Sequence, residues 1–113
     1  MASQRQLRVG EEIRHILANL IMRNDWPKGE LSNPVTVTRV DISPDLQNAV
    51  VLVMPLGGLK REESMAFLTE MAPYMRKYLA DHMGLRRVPY LKFLLDETFD
   101  KAEKMDRLLK SVQ

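Results

Sequence analysis

The chain contains no cysteine. That excludes disulfides, thiolate zinc sites and cysteine nucleophiles together, and it fits a reducing compartment. It contains only two histidines, His15 and His82, which are far apart and without cysteine partners form a poor metal-ligand set. No apolar run approaches the ~20 residues that a membrane span requires. The first residues, Met1-Ala2-Ser3-Gln4-Arg5, lead into charged sequence and not into an apolar signal region, so a cytoplasmic chain is expected. No Gly-rich phosphate loop and no nucleophile–base pair is apparent, which argues against a small hydrolase. Internal repeats and low-complexity segments are also absent.

What remains is an ordinary apolar fraction with mixed charge in 113 residues, enough for one globular domain. The net charge of +2 is too small to announce a nucleic-acid binder, but its distribution is uneven. Between Arg76 and Lys92 stand five basic residues (Arg76, Lys77, Arg86, Arg87 and Lys92) against one acid, Asp81. Between Asp96 and Asp106 stand five acids and two lysines. A small total can thus hide a basic surface beside an acidic one.

Ser3 followed by Gln6 reads as a capping box. Val9, Ile13, Ile16, Leu17, Leu20 and Ile21 then recur at helical spacing, predicting an amphipathic helix that ends near Asn24-Asp25-Trp26-Pro27. Residues 35–42 are rich in β-branched side chains and predict a strand. Its apolar phase switches between Val37 and Val40, from a β-bulge near Arg39 or from burial on both faces. Ser43-Pro44-Asp45 signals a turn, and the apolar run Ala49–Met54 predicts a second strand, close enough to form an antiparallel hairpin with the first. Pro55 and Gly57-Gly58 break the chain. Glu62–Ala72 predicts a helix, and Pro73 inside the continuing pattern predicts either a kink or two abutting helices. The stripe runs on through Met75, Leu79 and either His82 or Met83 to a cap at Gly84. Residues 88–95 predict a third strand with Leu91, Phe93 and Leu95 on one face. A last helix is expected over 97–112, with Phe99, Ala102, Met105, Leu109 and Val112 as its stripe and four acid-then-base pairs at four-residue spacing. This is an α+β domain over 1–113, a three-stranded sheet with helices on one face, in the order α-β-β-α-kink-α-β-α.

That order matches the type II K-homology (KH) arrangement, and particular residues extend the match. Val37-Thr38-Arg39-Val40 runs into Ser43-Pro44-Asp45-Leu46 and Ala49-Val50-Val51. Leu85-Arg86-Arg87-Val88-Pro89, Leu91, Phe93 and Asp96 follow, then Asp106 and Leu108-Leu109. On these residues the chain resembles the ribosome-binding factor A family from about Arg5 to Leu109. The resemblance implies a ribosome-biogenesis protein that binds the immature small subunit near its decoding region. It would assist late maturation and rRNA 5′-end processing, and its loss would be felt most in the cold. It implies no enzyme activity, cofactor or metal, and a monomer whose partner is the small ribosomal subunit. The chain departs from the family at Met71-Ala72-Pro73. Neither the Gly-x-x-Gly loop of many K-homology domains nor the family's Ala-x-Gly kink is present. Proline can kink a helix but cannot offer a backbone N–H to phosphate, so Ala72 and Pro73 mark the kink and phosphate contact falls to side chains.

Arg76, Lys77, Arg86 and Arg87 are the foremost RNA-binding candidates, able to neutralise phosphates without choosing sequence. A solvated face with favourable charge at a helix C-terminus is the plainer reading. Arg8, with Arg5 and Arg14, is a weaker candidate because Glu11 and Glu12 compete as partners. Arg39 either projects toward RNA or punctuates the strand. Tyr74, Tyr78 and Tyr90 stack on bases or pack at an edge with a wet hydroxyl. Asp96, Glu97 and Asp100 are accounted for by helix capping and ion pairs, not catalysis. The competing function is a small α+β protein-interaction module using the acidic last helix.

Overall fold

The computed structural model describes residues 2–85, 87–98 and 108–109. Helix α1 spans Gln4–Arg23 and opens on the expected capping box: Ser3 Oγ accepts the Gln6 N–H, and Gln6 Oε1 accepts the Ser3 N–H. Val9, Ile13, Leu17, Leu20 and Ile21 are buried, and Ile16 is half-buried against them. Ile13 and Leu17 are fully buried, each worth about 1.5–3 kcal/mol. The helix stops at Asn24, not by proline. Asn24 turns left-handed (φ 51°), its own N–H bonds back to Leu20 and Ile21, and its side chain holds the Leu31 backbone and the Trp26 indole. Trp26 packs edge-on against Phe67 and Tyr74 and closes that end of the core.

Strands β1 (Val35–Ile42) and β2 (Asn48–Pro55) form the expected antiparallel hairpin. Its register shifts between Val37, opposite Val53, and Arg39, opposite Leu52. Thr38 is therefore the extra residue of a bulge, the first of the two explanations for the switched phase. Val37 before it and Val40 and Ile42 after it are all buried. The turn is built by its own side chains. Leu46 N–H donates to the Ser43 carbonyl, Asn48 N–H to Ser43 Oγ, and Asp45 Oδ1 accepts from Ser43 Oγ and Gln47 N–H. The Ser43 hydroxyl, then the Gln47 amide, hold the Asp45 carboxyl below the usual aspartate value.

After a 3-10 turn at Leu56–Gly58, α2 runs unbroken over Arg61–His82 with Pro73 inside it. Of the two expectations at Pro73, division into abutting helices is not what the chain does. Pro73 cannot donate to the Thr69 carbonyl, and both residues are exposed, on the side of the helix where water can replace a missing amide donor. Leu68, Met71, Met75 and Leu79 form the inner stripe. Met83 continues it buried while His82 stays exposed.

Strand β3 (Tyr90–Leu95) pairs parallel with β2, giving the order β1-β2-β3. A parallel neighbour requires a crossover, and α2 is that crossover. Both helices cover one face, over Ala49, Val51, Val53 and Phe93. Arg39, Asp41, Tyr90, Lys92 and Leu94 are exposed on the sheet. Asp96 continues the ladder to the Val53 carbonyl, and its Oδ2 accepts from the Thr38 hydroxyl at 2.6 Å, joining the two outer strands across the central one. Asp96 also stands directly before the helical residues Glu97 and Thr98, the position expected of a cap. The expected last helix falls mostly outside the described residues.

Candidate nucleic-acid interface

Three parts of the chain meet at one end of the sheet: the start of α1, the hairpin tip, and the segment joining α2 to β3. Gln6 Nε2 donates to the Ile42 carbonyl at 2.7 Å and pins the start of α1 to the end of β1. Tyr90 N–H donates to the Gln47 carbonyl and brings the β3 entry to the hairpin tip. Between these parts lies a cleft of about 450 Å³ lined by Arg5, Asp45, Arg76, Arg87 and Tyr90 among others. A neighbouring hollow of about 410 Å³ is lined by Pro73, Arg76, Lys77, Ala80, Leu85 and Arg87. Arg76 and Arg87 border both.

Arg76 is half-buried and engaged. Its Nε and Nη2 donate to the Val88 carbonyl at 3.2 and 3.0 Å, and its guanidinium lies 3.8 Å from the Tyr90 ring centroid. It clips the β3 entry to α2. A guanidinium has five N–H donors, so those not spent on Val88 remain for an anion. Lys77 and Arg87 are exposed. Among the described residues Asp45 is the one acid lining the first cleft, and its carboxylate already accepts from Ser43 and Gln47. Three arginines facing one engaged carboxylate leave a local positive excess.

Arg76, Lys77 and Arg87 are thus brought together as the charge pattern anticipated, with Arg5 drawn in from a distant part of the chain. Arg86 lies outside the described residues. Arg8 is exposed on α1 and lines neither hollow. Arg39 stands elsewhere, on the sheet face away from the helices, with Nε 3.1 Å from Asp41. Arg14 pairs with Glu11, as expected. Ala72 packs half-buried against the core beside exposed Pro73. Tyr74 packs on Trp26, and Tyr78 accepts from Arg23 and stacks on His82 at 3.9 Å. Tyr90 is 62% exposed at the cleft, the tyrosine best placed to meet a base. Among the described residues no group of three metal-ligating side chains occurs, and no helix is long and apolar enough to cross a membrane.

Comparison with known proteins gives this geometry a context. A ribosome-binding factor A of Paracoccus denitrificans is 46% identical over 108 residues, spanning 95% of this chain and 78% of that protein. The crystal structure of ribosome-binding factor A from Thermus thermophilus superposes with a TM-score of 0.66 at 24% identity, covering 80% of this chain and 94% of that one, a likeness of fold. A Thermus thermophilus ribosome-binding factor A homology model, fitted into an electron cryo-microscopy map of its complex with the 30S subunit, superposes with a TM-score of 0.62 at 26% identity. It covers 75% of this chain and 88% of that one. The sequence profile of the family matches residues 5–109, and with the shared fold this establishes that the chain belongs to the ribosome-binding factor A family.

Proposed function

We propose that this protein is a ribosome-assembly factor. It binds the immature small ribosomal subunit through the RNA backbone and assists late maturation and 5′-end processing. It works in the cytoplasm as a monomer, by occupying a site and not by catalysis. The observation that carries this reading is the convergence of Arg5, Arg76 and Arg87, from separate parts of the chain, on one cleft beside an exposed tyrosine. The family relative fitted into a 30S complex supports the choice of partner. Lys77 and Arg87 neutralise phosphates, Arg76 contributes its spare donors from a fixed position, and Tyr90 offers a ring edge or face to an unpaired base. Pro73 sets the course of α2 where the family carries a kink.

The test is co-sedimentation with immature small subunits over a range of salt. Wild-type affinity falls steeply as salt rises, because each neutralised phosphate releases counterions. Lys77→Glu with Arg87→Glu lowers low-salt affinity by about 100-fold and flattens the log–log salt slope by about two. Both side chains are exposed, so stability stays within about 0.5 kcal/mol of wild type. Full affinity of the double variant, with an unchanged salt slope, would remove the cleft from the interface.

A further inference from the structure

Among the described residues β1 is an edge strand, and its outer side is treated in two ways. Near its C-terminal end α1 lies directly on it. Gln6 occupies the Ile42 carbonyl, and Gly10 sits so close that an added Cβ would stand 2.6 Å from the Val40 oxygen. Near its N-terminal end helix and strand part. The cleft between them holds about 480 Å³ and is walled by Ala18, Ile21 and Met22 of α1 and by Pro34, Val35 and Val37. Met22 is 76% exposed at its rim.

Among the described residues no strand pairs with the outer backbone along this cleft. Leu56 N–H donates to the Pro34 carbonyl, and Thr36 lies opposite Met54. Hydrogen-bonded pairs alternate in an antiparallel ladder, so positions 34 and 36 face β2 and the amides and carbonyls of Val35 and Val37 face outward. The bulge at Thr38 ends this stretch. Among the described residues the one charged side chain lining the cleft is Arg14, and its guanidinium is bonded to Glu11. Glu11 answers by titrating below its usual value, chiefly through that hydrogen bond. The groove therefore offers little to a phosphate. It offers backbone hydrogen bonds beside apolar walls, the combination that an added strand uses.

We propose that the groove between α1 and residues 35–37 of β1 docks an extended, apolar segment of a protein in the small-subunit particle, as a short added strand. The inference goes beyond RNA binding but rests on the small subunit as the working partner. The experiment places p-benzoylphenylalanine at Met22 or at Lys77 in the full chain and irradiates the complex with immature small subunits. Attachment at Met22 yields a ribonuclease-resistant adduct with one protein, whereas attachment at Lys77 yields RNA. Amide exchange over 35–37 slows at least tenfold in the complex. Ala18→Trp, which fills the cleft, weakens subunit binding about tenfold and leaves binding to protein-free small-subunit rRNA unchanged. Met22→Glu, at an exposed position that does not threaten folding, acts in the same direction. Attachment of Met22 to RNA alone, full subunit affinity of both variants, or an equal loss on protein-free rRNA overturns the groove. Wild-type chain that binds subunits while Ala18→Trp binds equally well overturns the groove alone. Wild-type chain that fails to bind subunits overturns the proposed function with it.

Discussion

Near Gly10, α1 touches the backbone of β1; near Met22 it has left the strand and one wall of the intervening cleft stands open. The closed end gathers charge, with Arg5, Arg76 and Arg87 around a cleft whose parts are tied by Gln6, Tyr90 and Arg76. The open end gathers apolar side chains and, among the described residues, an unpaired strand edge. One helix thus sorts two kinds of surface to opposite ends of a small domain. A glycine permits backbone contact at one end; at the other a cleft lined by Ala18, Ile21 and Met22 lies between helix and strand.

The strongest way to break this contrast is Gly10→Ala. Its Cβ would meet a main-chain oxygen, which cannot rotate away, so α1 must lift from β1. The expected cost is about 2–3 kcal/mol, read as a lower urea midpoint. A change below about 0.5 kcal/mol would mean that the contact is not tight.

Arg76→Lys comes next. It keeps the charge but loses the forked bond to Val88 and the planar contact with Tyr90. Thermal unfolding should show a loss of about 1–2 kcal/mol, and subunit binding should fall further than in Lys77→Ala. If Lys serves as well as Arg, the clip is immaterial and Arg76 acts as a charge alone.

Pro73→Ala sharpens the comparison at the helix. It restores an amide to the Thr69 carbonyl and should raise stability by about 1 kcal/mol, less than the full helix-interior proline penalty because the site is exposed. Subunit affinity should drop severalfold as the course of α2 changes. A fall in stability would mark the proline as structurally required.

The smallest effect is expected at the hairpin tip. Asp45 has a depressed folded value, so its contribution is present above the ordinary aspartate pKa of about 3.9 and is lost as pH falls through the folded value. Asp45→Asn should flatten the acid limb of the stability–pH curve and change little at neutral pH. An unchanged acid limb would assign that slope to other carboxylates.

Much of the fold is legible in the chain because it is local. The Ser3/Gln6 box, the α1 stripe, the Ser-Pro-Asp turn and the alternation of Leu91 and Phe93 each depend on neighbours within a few residues. The switched phase of β1 fitted either a bulge near Arg39 or burial on both faces; the bulge, and Thr38 as its extra residue, are decided by pairing with Leu52. His82 and Met83 were equivalent by period, and Met83 went inward as the chain left the helix. The parallel direction of β3 is fixed only by where α2 delivers the chain. At the candidate site, the nearness of Lys77 and Arg87 was legible as charge density. Arg5 joined them through tertiary contact, Arg39 was taken up by Asp41, and the bond from Arg76 to a carbonyl twelve residues away has no pattern in one dimension.

The bond between Thr38 and Asp96 spans 58 positions and bears on the order of assembly during synthesis. The β1–β2 hairpin is contiguous and can pair within microseconds. β3 must wait until α2 and the following segment have left the ribosome, because parallel partners close a long loop. Until then β2, the most apolar strand, has one bare edge and is open to mispairing with another nascent chain. Asp96 reaches Thr38 only once β3 is seated, so this hydrogen bond is among the last contacts a newborn molecule makes and closes the interval of greatest aggregation risk.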